Sequence, residues 1–426
     1  MTSDPRERHL VRYLGGFAPF VVARAEGMWL ETTEGRRLLD FSSGQICSTL
    51  GHRHPRVMAA VRDALDTVVH LDSRMLSEPV LALADRLASL APAPLTRVMP
   101  LSTGAEANEF AIKLAKMHTG RFEIVGVTRA FHGATIGAAS STYLRSRRGF
   151  GPLVPGTLAV PAPYAYRCPI RHCRETCDCT CLDAGFELVD QQSVGSLAAM
   201  ICEPILSSAG VIVPPDGWLA RAAEHCASRD MLLIVDEAQT GLGRCGAWFD
   251  ISREGVVPEF LTLSKTLGGG IPLSATLTTD EIEVDCVGKG LAHNTSHVAD
   301  PLPAAAGVAG LDVIADDGLV ERAAVLGEHL LARLGGLADR HEAVGDVRGR
   351  GLLAGVELVR DRTTREPAAG LAAAVGAEAM ALGLSLHPIP TGPSAHCFRI
   401  APPLTATTDE IDRAVDLLDE ALARHP

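Results

Sequence analysis

The chain has 426 residues, enough for two or three structural units with substantial cores, and its 47% hydrophobic content is ordinary for a globular protein. A net charge of −12 argues against a nucleic-acid role, and no run approaches about 20 uninterrupted apolar residues, so no membrane span is expected. The start, MTSDPRERHL, lacks the apolar core of a signal peptide, and eleven cysteines cannot all pair within one chain, so a reduced, cytoplasmic protein is the default reading.

Residues 1–45 read as a helix-like start followed by alternating apolar and polar positions around Phe20 to Leu39. MWLETTEGRRLLDF (28–41) has the pattern of a hairpin with Glu34-Gly35 in the turn. The plainest reading is an N-terminal arm packing on a neighbour. Gln45 follows Gly44, where backbone can approach a ligand closely; otherwise a loop glutamine is simply solvated. Helical periodicity covers Arg56 to Val69 and Pro79 to Leu90. Between them lies His70-Leu71-Asp72-Ser73, by itself a turn with a capping serine.

Val98 to Leu101 reads as a strand, Ser102 to Ala105 as a small-residue turn and Glu106 to His118 as a helix. Exposed N–H groups and the helix dipole at such a start attract phosphate, although the same residues also make an ordinary cap. Ile124 to Val127 is a further strand, leading to Ala130-Phe131-His132-Gly133, where the Phe131 ring could stack on a flat cofactor. RCPIRHCRETCDCTC (167–181) gathers five cysteines: Cys168, Cys173, Cys177, Cys179 and Cys181. Thiolates bind Zn²⁺ tightly, but the C-x-C spacings are not those of the common zinc folds, and a reduced or partly disulfide-linked surface insertion is the competing account.

Ala198 to Cys202 is a strand ending at Glu203-Pro204, with Ser207 and Ser208 beyond it, and Trp218 to Ser228 is a helix. Met231 to Val235 is an apolar run that reads as a buried strand; Asp236 and Glu237 follow, then Gln239 and a Gly-rich turn. A second apolar run ends in Ser264-Lys265-Thr266 and three glycines. An Asp at one strand end and a Lys shortly after the next fits neighbouring strands of a parallel sheet, whose carboxyl ends hold ligands. The chemistry that needs this pair is that of pyridoxal phosphate: Lys265 forms the Schiff base and Asp236 keeps the pyridine nitrogen protonated. Asp280 to Gly288 leads into His293 to His297, and from about residue 311 helical patterns dominate (Leu319 to Leu337). A strand-like run from Gly351 to Leu358, a helix from Leu371 to Leu382, and runs at Leu384 to Pro388 and Phe398 to Ile400 complete the chain. Arg399 sits among apolar neighbours and needs a partner, either a substrate carboxylate or a buried Glu203.

DEAQTGLGR (236–244) followed by LSKTLGGGIPL (263–273) resembles the cofactor-lysine signature of class-III, fold-type-I pyridoxal phosphate enzymes. Within that class the chain looks most similar to 2,2-dialkylglycine decarboxylase. DFSSGQ (40–45), LGHRHP (50–55), LSTGAEANE (101–109), EPILSS (203–208), SHVADPLPAA (296–305) and FRIAPPLT (398–405) carry that likeness over nearly the whole chain. The resemblance implies Thr103, Gly104, Ala105, Phe131, His132, Asp236, Gln239, Lys265 and Ser296 as cofactor residues. Ser296 is expected to reach the phosphate of a partner subunit. Gln45, Ser208 and Arg399 are implied as substrate contacts, with Lys265, Asp236 and Gln45 catalytic. An alkali-metal ion (K⁺ or Na⁺) is implied on the Leu71 carbonyl, Ser73 hydroxyl, Ser296 and Val298 carbonyls and Asp300 carboxylate, an oxygen shell that suits a weakly held monovalent cation. A second ion site of that relative uses a threonine that is Ala91 here, and is not expected. Phe131 and Ala134 replace a Trp and a Met of the relative, which implies a roomier side-chain pocket.

The expected fold is α/β: a large, doubly wound, mainly parallel sheet domain (46–310), a smaller C-terminal α/β domain (311–426) and the N-terminal arm (1–45). The expected function is decarboxylation-coupled transamination of an α,α-disubstituted amino acid with a pyruvate-like keto acid. The alternative is an ordinary class-III aminotransferase that releases no CO2. The expected partners are small-molecule amino and keto acids and further copies of the chain, as a homodimer or dimer of dimers.

Overall fold

The structure is a computed structural model that describes residues 5–12, 16–144, 147–149, 151–168, 170, 177–386, 388–389 and 394–425. In chain order the elements are β1 (Val22–Glu26), β2 (Trp29–Thr32), β3 (Arg37–Asp40), the distorted turn α1 (Ser43–Ile46), α2 (Pro55–Thr67), α3 (Glu78–Leu90), β4 (Leu95–Leu101), α4 (Gly104–Thr119) and β5 (Glu123–Val127). There follow α5 (Ile136–Ser141), β6 (Thr157–Val160), α6 (Thr180–Gln192), β7 (Leu197–Cys202), α7 (Trp218–Ala227), β8 (Leu232–Asp236), β9 (Phe260–Leu263), β10 (Ser274–Thr279) and α8 (Asp280–Gly288). The chain ends with α9 (Pro301–Asp316), α10 (Leu319–Arg340), β11 (Val344–Arg350), β12 (Leu353–Leu358), α11 (Ala369–Leu382), β13 (Leu384–Ser385), β14 (Cys397–Ile400) and α12 (Thr408–Ala423). No helix among the described residues is long and apolar enough to cross a membrane.

The centre is a seven-stranded sheet in the order β4-β10-β9-β8-β7-β5-β6. Strands β9, β8, β7, β5 and β6 are parallel; β10 runs antiparallel to both β4 and β9. The parallel strands read as unbroken apolar runs because helices cover both faces, so every residue of β5, β7 and β9 is buried. This is the α/β, fold-type-I arrangement that the sequence implies. Ser264 and Lys265 leave the sheet right after β9, beside the end of β8, whose last residue is Asp236. Neighbouring parallel strands thus bring the two side chains to one edge, as expected from the sequence.

Two smaller sheets position the remaining residues. The 28–41 hairpin is present as β2 and β3, joined by β1, and β13 pairs parallel with β3 (Leu384 with Leu39). The segment read as an arm therefore docks on the C-terminal part of the chain. The second sheet, β11-β12-β14, is antiparallel and carries Arg399 opposite Gly355. Strand β11 and helix α9 were not anticipated; α9 packs against α2 and α3 and runs through the expected boundary at residue 310.

Candidate active site

Helix α4 starts at the carboxyl end of β4 with Thr103 as N-cap in a capping box. The Glu106 carboxylate accepts the Ser102 and Thr103 N–H groups, and the Thr103 hydroxyl accepts the Glu106 N–H. Gly104 and Ala105, the first two helical residues, have no acceptor inside the helix, so their N–H groups are available to an anion. The space there is tight. A Cβ on Gly104 would lie 3.2 Å from Ser264 Cβ, and one on Gly133 would lie 2.6 Å from Ala105 Cβ. Gly133 also has φ +142°, so a side chain there is both strained and obstructed.

Asp236 is 4% exposed. Its Oδ2 accepts from Asn108 Nδ2 (2.7 Å) and lies 2.9 Å from His132 Nδ1, and its Oδ1 accepts the Ala238 N–H (3.1 Å). Burial alone would raise its pKa, but the His132 hydrogen bond and the Lys265 charge outweigh it and hold Asp236 below the usual carboxylate range. It stays an anion with lone-pair capacity left on Oδ1. His132, expected among the cofactor residues, is turned to this carboxylate. Asn108, which the sequence reading missed, ties the cluster together: its amide donates to Asp236 and to the His132 carbonyl (2.8 Å) and accepts from Thr262 Oγ1 (2.7 Å). Its signal was a polar residue on the buried face of α4, beside Ala107, Phe110 and Ala111.

Lys265 has φ +50°, a left-handed conformation that a long side chain adopts only when its surroundings impose it. Burial lowers its pKa, with Asp236 opposing, so the neutral amine is reached below the usual lysine range. Thr266 Oγ1 is 3.0 Å from Thr49 Oγ1, which fastens the lysine turn to the segment carrying Gln45.

That segment is strained in the same way. Ser43, Gly44 and Ile46 all have positive φ. Asp40 holds it by accepting the Ser42 and Gly44 N–H groups (3.0 and 2.7 Å), and the Ser43 hydroxyl donates to the Ala401 carbonyl (2.7 Å). Gln45 thereby lies exposed beside Arg399, whose Nη2 donates to Gln45 Oε1 (3.4 Å). Arg399 Nη1 donates to Gln239 Oε1 (3.1 Å) and Ser208 Oγ (3.4 Å). Gln239 is fixed in turn by the hydroxyls of Ser207 (2.9 Å) and Ser208 (3.1 Å). Gln239, expected on the cofactor, thus belongs to the arginine's cradle.

Glu203 does not pair with Arg399. Its carboxylate accepts the backbone N–H groups of Phe131 (2.9 Å) and Ser207 (3.3 Å). Burial, reinforced by Asp236, pushes its pKa up to about 7. The guanidinium therefore forms no ion pair among the described residues, and its three partners are neutral oxygens.

The donor set fits pyridoxal phosphate: two free N–H groups at a helix start, an anionic buried Asp236 and a desolvated Lys265. Ser296 lies exposed in the single chain, next to His297, whose carbonyl accepts from Ser102 Oγ (3.4 Å) at the start of α4. The alkali-metal shell does not assemble as expected. Asp300 uses its two oxygens for His70 Nδ1 and His297 Nδ1 (2.6 Å each), while Ser73 Oγ donates to Asn294 Oδ1 (2.7 Å). Leu71 is half-buried and Val298 buried beside these imidazoles. Two histidines on one carboxylate make a poor environment for a hard monovalent cation, and the ion is not supported.

The family described as Aminotransferase class-III matches residues 15–422. The chain is 43% identical to an uncharacterized aminotransferase of Schizosaccharomyces pombe, over 97% of this chain and 93% of that protein. It is 37% identical to an acetylornithine aminotransferase of Mycobacterium tuberculosis (96% and 93%) and 34% identical to a leucine/methionine racemase of Thermococcus litoralis (96% and 91%). An (S)-enantioselective omega-transaminase from Thermomicrobium roseum shares the fold with a TM-score of 0.89 at 32% identity, covering 96% of this chain and 93% of that one.

Proposed function

We propose that this chain, which belongs to the class-III aminotransferase family, moves an amino group between an α-amino acid and an α-keto acid and releases no CO2. The observation that carries this reading is Arg399: a half-buried guanidinium held by Gln239, Ser208 and Gln45, with no ion-paired carboxylate among the described residues. A fixed, unneutralised arginine near Lys265 suits a substrate carboxylate, which it can bind through two parallel hydrogen bonds.

When bound, pyridoxal phosphate supplies a ring that accepts the electron pair of a breaking bond at the substrate Cα. The chain's residues do the rest. The Gly104 and Ala105 N–H groups hold the phosphate, and Asp236 keeps a negative charge at the ring nitrogen. Arg399 fixes the carboxylate and so decides which Cα bond stands perpendicular to the ring. Lys265 Nζ, whose pKa burial lowers, takes the Cα proton as the free amine and returns it. Phe131, held by Glu203 through its N–H, supplies the apolar wall.

The decarboxylating reaction implied by the resemblance needs two carboxylate positions, one at Gln45 and Lys265 and another at Arg399. Gln45 and Arg399 share a hydrogen bond, which favours one cradle over two. The relatives named above are aminotransferases and a racemase, which also favours the ordinary reaction. A homodimer with Ser296 reaching the neighbouring site belongs to the same proposal.

The test is to incubate holoenzyme with a panel of L-amino acids and with pyruvate or 2-oxoglutarate, and to assay 2-aminoisobutyrate with CO2 capture in parallel. Brisk amino exchange without CO2 is expected. CO2 released from 2-aminoisobutyrate, with or without exchange between alanine and pyruvate, overturns the proposal.

A further inference from the structure

We propose that His70, His297 and Asp300 form a surface site for a zinc-class divalent ion, bound through two imidazole nitrogens and one carboxylate, with solvent in the remaining position. His70 Nδ1 lies 2.6 Å from Asp300 Oδ1, and His297 Nδ1 lies 2.6 Å from Asp300 Oδ2. One ligand atom from each of the three residues lies within 4.8 Å of the other two. The two imidazole rings have centroids 5.2 Å apart and planes tilted by 53°. The Asp300 side chain is 9% exposed, whereas those of His70 and His297 are 50% and 68% exposed. The carboxylate is thus the floor of the cluster and the imidazoles are its open rim.

Two fixed segments bring these groups together. His70 follows α2, and His297 and Asp300 precede α9, which packs against α2 and α3. Ser73 Oγ donates to Asn294 Oδ1 (2.7 Å), a second clasp between the same segments. Ala299 has φ +57°, a left-handed conformation that a residue with a Cβ adopts only when held. Its N–H donates to the Pro100 carbonyl (3.2 Å), and Val298 beside it is buried. Asp300 is the N-cap of α9, yet its carboxylate makes no cap hydrogen bond. An N-cap aspartate ordinarily accepts the N–H of the second or third helical residue. Here the third is Pro303, which has no N–H, and the carboxylate turns to the histidines instead.

Each short N···O contact requires a proton on Nδ1. An ion takes the place of both shared protons: the Nδ1 lone pairs and one carboxylate oxygen bind the metal, and each neutral imidazole keeps its single proton on Nε2. Donors held at 2.0–2.1 Å on a tetrahedral ion stand about 3.3 Å apart, so the 2.6 Å contacts open by about 0.7 Å, within the reach of exposed imidazoles. Two imidazole nitrogens with one carboxylate select Zn²⁺ and its neighbours over K⁺, Ca²⁺ or Mg²⁺. Neither histidine belongs to the alkali-metal shell that the resemblance implies. The other triad of this tightness among the described residues, Glu357 with His396 and Cys397, is buried, and its carboxylate is taken by Arg167, Arg348 and Tyr164. The cysteine-rich segment offers no such triad among the described residues: Cys168, Cys177, Cys179 and Cys181 are free thiols, and Cys173 lies outside those residues. The ion also bears on the cofactor end of the molecule. The His297 carbonyl accepts from Ser102 Oγ (3.4 Å), next to the N-cap Thr103, so fastening His297 fastens the segment that borders the start of α4.

The experiment titrates the reduced, full-length holoenzyme, freed of trace metal, with Zn²⁺ alone in excess K⁺ against a chromophoric zinc chelator. Zinc is expected to bind despite the K⁺, and one equivalent per chain is expected to be lost in His70→Ala and in His297→Ala. Its affinity should fall by more than the roughly 10- to 100-fold that loss of an outer-shell partner costs. Both side chains are exposed, so the melting profiles without zinc should match that of the unsubstituted protein. Cys177→Ser, in the cysteine-rich segment, should keep the equivalent. Co²⁺ in its place should show visible d–d bands without a thiolate-to-metal charge-transfer band. Anomalous diffraction from zinc-loaded crystals should place a peak between the three side chains, which decides the matter even where a variant fails to fold. Equal zinc uptake by the unsubstituted protein and both histidine variants, displacement of the ion by K⁺, or anomalous peaks only elsewhere each overturns the proposal.

Discussion

His132 Nδ1 and Asp236 Oδ2 lie 2.9 Å apart, inside the protein and behind the edge where Lys265 emerges. The imidazole supports the anion, and the anion and Lys265 shift each other's ionisation in opposite senses. Asp236→Asn keeps the shape and removes the charge. Turnover is expected to fall about 100-fold or more, the usual scale for losing a preorganised charge at a reacting group, with the far-UV spectrum and melting profile retained. Activity within twofold of the unsubstituted enzyme removes Asp236 from this role.

Lys265→Ala is expected to abolish amino transfer while leaving cofactor binding through the helix start measurable. Borohydride reduction of the unsubstituted holoenzyme should place the cofactor on Lys265, read by peptide mass spectrometry. The pH dependence follows from burial. The neutral amine is the reactive form, and the lowered pKa moves its appearance below the ordinary lysine value of 10.5. Cofactor attachment to the apoenzyme should therefore rise with pH and level off below that value. A midpoint at or above it contradicts the desolvated setting.

Arg399→Gln removes the guanidinium of the substrate cradle. Charge-assisted hydrogen bonds of about 1.5–3 kcal/mol translate into a loss of roughly 10- to 100-fold in kcat/KM for pyruvate. An amine donor without a carboxylate should be affected far less in its own half-reaction. Equal losses for both donors would mean that Arg399 maintains structure only.

The lysine strand, its aspartate and the helix start at Gly104 were legible in the sequence because each lies on an unbroken local pattern: an apolar run, then a small or charged residue. What was not legible depends on contacts distant in sequence. Strand β11 reads VGDVRGR, with no residue but Val344 fully buried, and it becomes a strand only by pairing with β12. Strand β13 meets β3 across most of the chain's length. Asn108 looks like one polar position in a helix until Asp236 and Thr262 close around it. The supposed ion shell failed for the converse reason. Ser73 and Asp300 matched a pattern, but histidines at 70 and 297 take the carboxylate first.

Glu357 is fully buried, and burial alone would raise its pKa. The His396 hydrogen bond and the charges of Arg348 and Arg167 win, so the folded-state pKa lies well below the usual carboxylate range. A depressed carboxyl contributes stability above its unfolded pKa of about 4.3, and that contribution is lost as pH falls towards the folded value. Glu357→Gln leaves Arg348 without its buried partner and should cost about 3–5 kcal/mol near neutral pH. Thermal melts should show the gap between the two proteins narrowing below about pH 4. A gap that is constant, or widens, with acid contradicts the assignment.

Gln45→Ala separates the two reactions that the site could support. Gln45 accepts a long hydrogen bond from Arg399, 3.4 Å, so its amide nitrogen is the donor left for a ligand. A neutral hydrogen bond contributes about 0.5–1.5 kcal/mol, at most roughly a tenfold change in binding. With a single cradle, the variant should raise KM for alanine and for pyruvate together, by up to about tenfold, and leave kcat within about twofold. A departing carboxylate would depend on Gln45 in the rate itself, because its position perpendicular to the ring must be held until the bond breaks. The assay therefore follows alanine–pyruvate exchange and CO2 release from 2-aminoisobutyrate on one preparation of each protein. Lower kcat for CO2 release with alanine exchange untouched would assign Gln45 to decarboxylation and overturn the single-cradle reading. A joint rise in KM, with no CO2 from either protein, keeps Gln45 and Arg399 as one carboxylate site.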